Sequence, residues 1–197
     1  MRKISDFELS IDRAILQVYD TALSDSDYNY HDVTDQTLSQ GFCGLSGSYD
    51  FYSLGDCQRM KIEVWEALPQ ESIQLRSQTV RAIRVPFAVH GSGMTFSNIM
   101  GDDFPSVEIS NGEYALVFEI RLRDDDEYLN SPRYLEDIQG NFTREICCLT
   151  LYPVVEPVQA EILRLDSWST PRYFEERYHP LNPTYPLLLE QAIENME

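Results

Sequence analysis

Asn111-Gly112 separates two alternating stretches of this chain, and no other dipeptide in it limits the fold as strongly. Asn-Gly supplies two residues that tolerate positive φ, the geometry of a tight turn between antiparallel strands. Ahead of it, Val107 and Ile109 are spaced by two and predict a short strand. Behind it, Tyr114, Leu116, Phe118 and Ile120 fall on one face of an extended Glu113–Leu122, with Ala115 and Val117 on the other. A period of two over that length predicts a strand with one face on a core.

The same pattern recurs along the chain. In residues 59–67, Met60, Ile62 and Val64 alternate with Lys61, Glu63 and Trp65. Residues 79–89 carry Val80, Ile83, Val85, Phe87 and Val89, and Pro86 shifts this strand toward an edge or a bulge because it has no N–H to give to a ladder. His90-Gly91-Ser92-Gly93 and Gly101-Asp102-Asp103 read as turns around a short strand at 94–99. Two further strands are expected at 146–154 and 158–165. Leu9, Ile11, Ile15 and Val18 hold no single phase, so residues 8–19 predict one bulged strand. Thr34 as N-cap and Gly41 as stop predict a short helix at 35–40, and residues 187–196 predict a closing helix. Many short strands with turns between them predict an all-β, mainly antiparallel β-sandwich with those two helices. Residues 1–155 are read as the sandwich domain and 156–197 as a C-terminal extension of strand, proline-rich segment and helix. Trp65, Phe87, Tyr114 and Phe118 are expected in the core.

Charge bounds the partners. The net charge is −18, and no lysine or arginine occurs between Arg13 and Arg59. Phosphate contacts need such residues, so direct binding to nucleic acid or to an anionic membrane is not expected. An acidic surface instead attracts basic proteins. Within the base-free stretch, Asp20, Asp25, Asp27, Tyr28, Tyr30, Asp32 and Asp35 combine carboxylates with flat aromatic rings. Tyrosine stacking on arginine beside a carboxylate is the chemistry of an interface for a basic protein, and these residues are the candidate contacts. An ordinary solvated loop packed by its own tyrosines is the alternative.

No residue set is read as catalytic. His31, His90 and His179 lie at no metal-ligand spacing, and the glycines of 41–48 fit neither a nucleophile elbow nor a phosphate loop. The Asp124-Asp125-Asp126-Glu127 run is the one cation-binding alternative, though without the spacing of a calcium loop. No cofactor or metal is expected. No apolar run reaches the length of a membrane span. Cys43, Cys57, Cys147 and Cys148 form no CxxC pair and suit buried thiols in a reducing cytoplasm. A Cys43–Cys57 disulfide is allowed by the count and required by nothing.

The ordered segments carry a resemblance. Val33-Thr-Asp-Gln-Thr-Leu-Ser-Gln-Gly-Phe, Gly47-Ser-Tyr-Asp-Phe and Lys61-Ile-Glu-Val-Trp are followed by Val85-Pro-Phe-Ala-Val, Met94-Thr-Phe-Ser-Asn-Ile-Met and Val107-Glu-Ile-Ser-Asn-Gly-Glu-Tyr-Ala-Leu. In content and order they resemble the competence protein J family, over roughly residues 10–122. The chain departs from that pattern in Val33, where an aromatic is expected, and in the extension beyond about 155. The resemblance implies a small acidic inhibitor of a DNA-entry nuclease that occludes a basic nuclease surface. An immunity or scaffold protein with a partner other than a nuclease is the alternative.

Overall fold

A computed structural model of the protein describes residues 1–23, 37, 40–54, 58–100, 105–122 and 145–165. Eleven strands occur among them: β1 (Arg2–Ile11), β2 (Ile15–Asp20), β3 (Phe42–Leu45), β4 (Ser48–Tyr52), β5 (Gln58–Glu66), β6 (Thr79–Val89), β7 (Gly93–Asn98), β8 (Ser106–Glu108), β9 (Gly112–Leu122), β10 (Glu145–Val154) and β11 (Glu161–Leu165). They form a six-stranded sheet in the order β1-β5-β10-β9-β6-β11 and a five-stranded sheet in the order β3-β4-β2-β7-β8. Every pairing is antiparallel except β5 with β10. The mainly antiparallel β-sandwich expected from the alternation is the observed architecture.

The alternating apolar positions meet between the sheets. Met60, Ile62, Val64, Leu116, Phe118 and Ile120 from one sheet face Leu16, Val18, Phe51 and Phe96 from the other, all in one fully buried cluster. The rings of Phe51 and Phe118 stack across the two layers with centroids 4.4 Å apart. Burying each such aromatic or branched side chain stabilises the fold by about 1.5–3 kcal/mol, so this interlayer cluster is the main source of stability.

The expected single strand at 8–19 is instead two strands in different sheets. Asp12 bridges to Ile15, and Arg13 and Ala14 turn the chain with φ of 53° and 61°. The apolar phase shifts there because the chain leaves one sheet for the other. The β3–β4 hairpin turns at Ser46-Gly47, and Gly44 is required beside it. At φ +142° a Cβ there would lie 2.3 Å from the Ser48 carbonyl oxygen. β6 is internal over Arg81–Arg84, where β9 and β11 flank it, but β11 pairs no further than Arg84. Pro86 therefore sits where β6 has a partner on one side only, as its missing N–H demands.

Trp65 is not in the interlayer core. It stands half-buried on the outer face of the six-stranded sheet, with the Arg76 guanidinium 4.8 Å and the Lys3 ammonium 5.7 Å from its ring centroid. Phe87, Tyr114 and Phe118 are buried as expected. Cys43 is a buried thiol, and Cys57 lies outside the described residues. The strand expected at 158–165 is β11, and it completes the six-stranded sheet. Of the helix expected at 35–40, the described positions Thr37 and Gln40 are helical, and Gly41 at φ +84° donates its N–H to the Thr37 carbonyl. The rest of that helix and the closing helix at 187–196 lie outside the described residues.

Candidate partner-binding site

The registers define two ends of the sandwich. At the first end stand the last residues of β2, β5, β6 and β10 and the first residues of β4, β7 and β9. At the second end lie the Asp12–Ala14 turn, the start of β10 and the end of β7. Asp20 closes β2 at the first end. Among the candidate contacts it is the one the structure describes; Asp25, Asp27, Tyr28, Tyr30, Asp32 and Asp35 lie outside the described residues.

Asp20 is only 2% exposed. One carboxylate oxygen accepts the His90 N–H at 2.7 Å, and the other accepts the N–H of Gly91 at 2.9 Å and of Ala22 at 3.1 Å. Its own N–H donates to the Gly47 carbonyl at 2.8 Å. Asp20 is thus a tether, not a contact open to a partner. It fixes the point where the chain leaves β2 for the acidic stretch.

Thr21 extends the tether. Its Oγ1 accepts the N–H of Ser92 at 2.7 Å and of Gly93 at 3.1 Å, and its N–H donates to the Gly93 carbonyl at 3.0 Å. Gly91 permits this close approach, since a Cβ there would fall 2.3 Å from Thr21 Oγ1. Asn111 Nδ2 donates to the His90 carbonyl at 3.0 Å, and the Ile109 N–H donates to the Ser92 carbonyl at 3.1 Å. Ser46 Oγ accepts the Ala88 N–H at 3.1 Å. Four turns are therefore cross-tied into one platform. Groups so held lose little freedom on binding.

The outer face of the six-stranded sheet holds a second polar constellation, which sequence reasoning missed. β5 and β6 run the same way with β10 and β9 between them, so residues 67–78 cross that face. Arg76 docks there on Glu119, which is 1% exposed. The Arg76 N–H and the Thr79 hydroxyl donate to the other Glu119 oxygen at 2.9 and 2.8 Å, and Arg76 also donates to Thr150 Oγ1 at 3.1 Å. Beside it, Glu63 lies 3.2 Å from Lys61 and 3.6 Å from Lys3. Burial pushes the Glu63 carboxyl up, but Lys61, with Lys3 and Arg121 behind it, outweighs this and holds it below its usual range. Cys148 Sγ approaches Glu63 at 3.6 Å, and burial pushes this thiol up to about 12, so it is a poor nucleophile at neutral pH. These groups satisfy one another and serve the fold.

His31, His179, the Gly101–Asp103 turn and the 124–127 carboxylates lie outside the described residues. His90 presents its backbone to Asp20 and its ring to solvent. Among the described residues no group of three or more His, Cys, Asp or Glu side chains is placed to hold a metal ion. No helix among them is long and apolar enough to cross a membrane.

Comparison with known proteins bears on this chain in three ways. The family model for competence protein J matches residues 8–143. In fold, the chain is similar to the crystal structure of "ComJ, inhibitor of the DNA degrading activity of NucA, from Bacillus subtilis", with a TM-score of 0.54, 17% identity, and coverage of 78% of this chain and 98% of that one. It is also similar to the crocagin biosynthetic gene J product, with a TM-score of 0.50, 10% identity, and coverage of 78% and 99%. No curated protein matches it in sequence.

Proposed function

This chain belongs to the competence protein J family, and from that premise we propose that it binds and inhibits a basic DNA-degrading nuclease. The observation that carries the reading is the family match over residues 8–143, which spans every candidate contact. The solved relative described as an inhibitor of the DNA degrading activity of NucA supports the partner class.

The mechanism proposed is occlusion. DNA enters a nuclease through a basic cleft that holds its phosphates. Asp25, Asp27, Asp32 and Asp35 offer carboxylates to the same lysines and arginines, and Tyr28 and Tyr30 offer faces for arginine to stack on. The net charge of −18 steers the encounter and repels DNA from the complex. The chain acts as a stoichiometric inhibitor and has no catalytic role. Its place is the cytoplasm, a reading supported by the buried free thiols Cys147 and Cys148.

The test is degradation of duplex DNA by purified NucA of Bacillus subtilis in the presence of this protein. Degradation is expected to stop near one inhibitor per nuclease. Undiminished degradation at a large excess would contradict the proposal.

A further inference from the structure

Large apolar side chains are unevenly exposed on this molecule. Among the described residues Met1, Leu45, Leu68, Met100 and Val155 are the exposed ones, and all but Met100 stand at the first end of the sandwich. Leu45 ends β3 beside the Ser46-Gly47 turn and is 61% exposed. Val155 follows β10 and is 98% exposed. Single exposed apolar residues are ordinary, but several at one end, with Leu45 beside a turn tied into the platform, need an explanation. Apolar anchors held on a rigid frame and fringed by polar groups are the anatomy of a protein interface.

The charges at that end select the occupant. Glu108 and Glu156 are exposed and Glu113 is half-exposed, all on turns or strand ends there. The Asp20 carboxylate adds a fixed negative charge, because its described partners are backbone N–H groups and none is a cation. Arg2 is nearby but is paired with Glu66 at 2.7 Å. At the second end, Arg13 is exposed on its turn and Arg59 is largely exposed near Glu8. Among the described residues, then, the first end is apolar and acidic, whereas the second carries the exposed Arg13 and, 3.5 Å from Glu8, Arg59.

We propose that the partner docks end-on at the first end, with Leu45 and Val155 as apolar anchors and Glu108, Glu113 and Glu156 pairing with basic residues around them. The occupant is a protein surface with a lysine- or arginine-rich rim and an apolar centre. This inference rests on the inhibitor reading and adds which part of the sandwich meets the nuclease.

The experiment replaces Leu45, Val155 or Met100 in turn with a photo-crosslinking phenylalanine and irradiates each variant with purified NucA. Leu45→Glu, Val155→Glu and Met100→Glu are assayed for inhibition in parallel. Crosslinks from positions 45 and 155 and none from 100 are expected. Potency should fall by about tenfold or more for Leu45→Glu and Val155→Glu with melting temperature unchanged, and stay as it was for Met100→Glu. If wild-type protein inhibits while crosslinks form from 100 alone, or equally from all three, the inhibitor reading stands and end-on docking is overturned. If wild-type protein leaves the nuclease active, the inhibitor reading falls and this inference falls with it.

Discussion

Asp20 and Glu119 are both carboxylates buried to within 2% of full coverage, yet they are held by opposite means. Asp20, at the first end, takes three backbone N–H groups and no cation. Glu119, on the outer face of the six-stranded sheet, takes the Arg76 guanidinium together with an N–H and a hydroxyl. The first arrangement leaves a net negative charge where a basic partner is expected. The second cancels its charge and fastens the 67–78 crossing to the sheet. A buried carboxylate paired with arginine serves packing. One satisfied only by neutral donors keeps its field.

The comparison breaks first at Glu119. Glu119→Ala strands the Arg76 guanidinium and should cost about 3–5 kcal/mol in urea denaturation. Replacing both partners, as Glu119→Leu with Arg76→Met, should recover most of that loss. In either variant the folded fraction should inhibit the nuclease as wild type does. Asp20→Ala should cost less, about 1–3 kcal/mol, because water can reach part of the vacated turn. Its loss of inhibition should exceed what its unfolded fraction explains, and equal losses in the Asp20 and Glu119 variants would erase the distinction.

Gly91→Ala sharpens the account of the platform. The new Cβ would strike Thr21 Oγ1 at 2.3 Å and the Ala22 nitrogen at 2.4 Å. The expected cost is about 1–2 kcal/mol in the same denaturation assay, with weaker inhibition because the root of the acidic stretch is displaced. The smallest effect concerns pH. The Glu63 carboxyl is held below its ordinary value of 4.5 in the folded protein. Its contribution is therefore complete above that pH and is lost as pH falls through the folded value. Glu63→Gln should flatten the fall in stability as the pH drops below 4.5 by less than about 1 kcal/mol, since Lys61 and Lys3 are partly solvated. Acid titration of both proteins by circular dichroism checks this.

Much of the sandwich was legible in the chain, and the exceptions have physical causes. β9 was plain because Tyr114, Leu116, Phe118 and Ile120 keep phase through the strand, but the hairpin expected at Asn111-Gly112 does not form: β8 pairs with β7 in one sheet, β9 with β6 and β10 in the other, and Asn111 has no positive φ. The break between β1 and β2 was hidden because Arg13 and Ala14 adopt left-handed conformations that glycine or asparagine usually advertises. Alternation put Trp65 on the face opposite Met60, Ile62 and Val64, but nothing local reveals that Arg76 crosses over it. Charge counting put Asp20 on the surface. Its burial depends on N–H donors at His90 and Gly91, 70 and 71 residues away, which no local pattern encodes. The family was legible in the order of its segments, whereas the Arg76–Glu119 pairing depends on sheet order and was not.

The central claim is that charge in the acidic stretch and at the first end drives capture of a nuclease. The most direct measurement is the affinity for purified NucA by titration calorimetry across salt, for wild type and for Asp25→Asn/Asp27→Asn/Asp32→Asn. Screening shortens from about 10 Å at 0.1 M salt to about 3 Å at 1 M. Wild-type affinity should fall steadily over that range, and the variant should start weaker and fall less. A complex whose affinity ignores both the salt and the three substitutions would contradict the account.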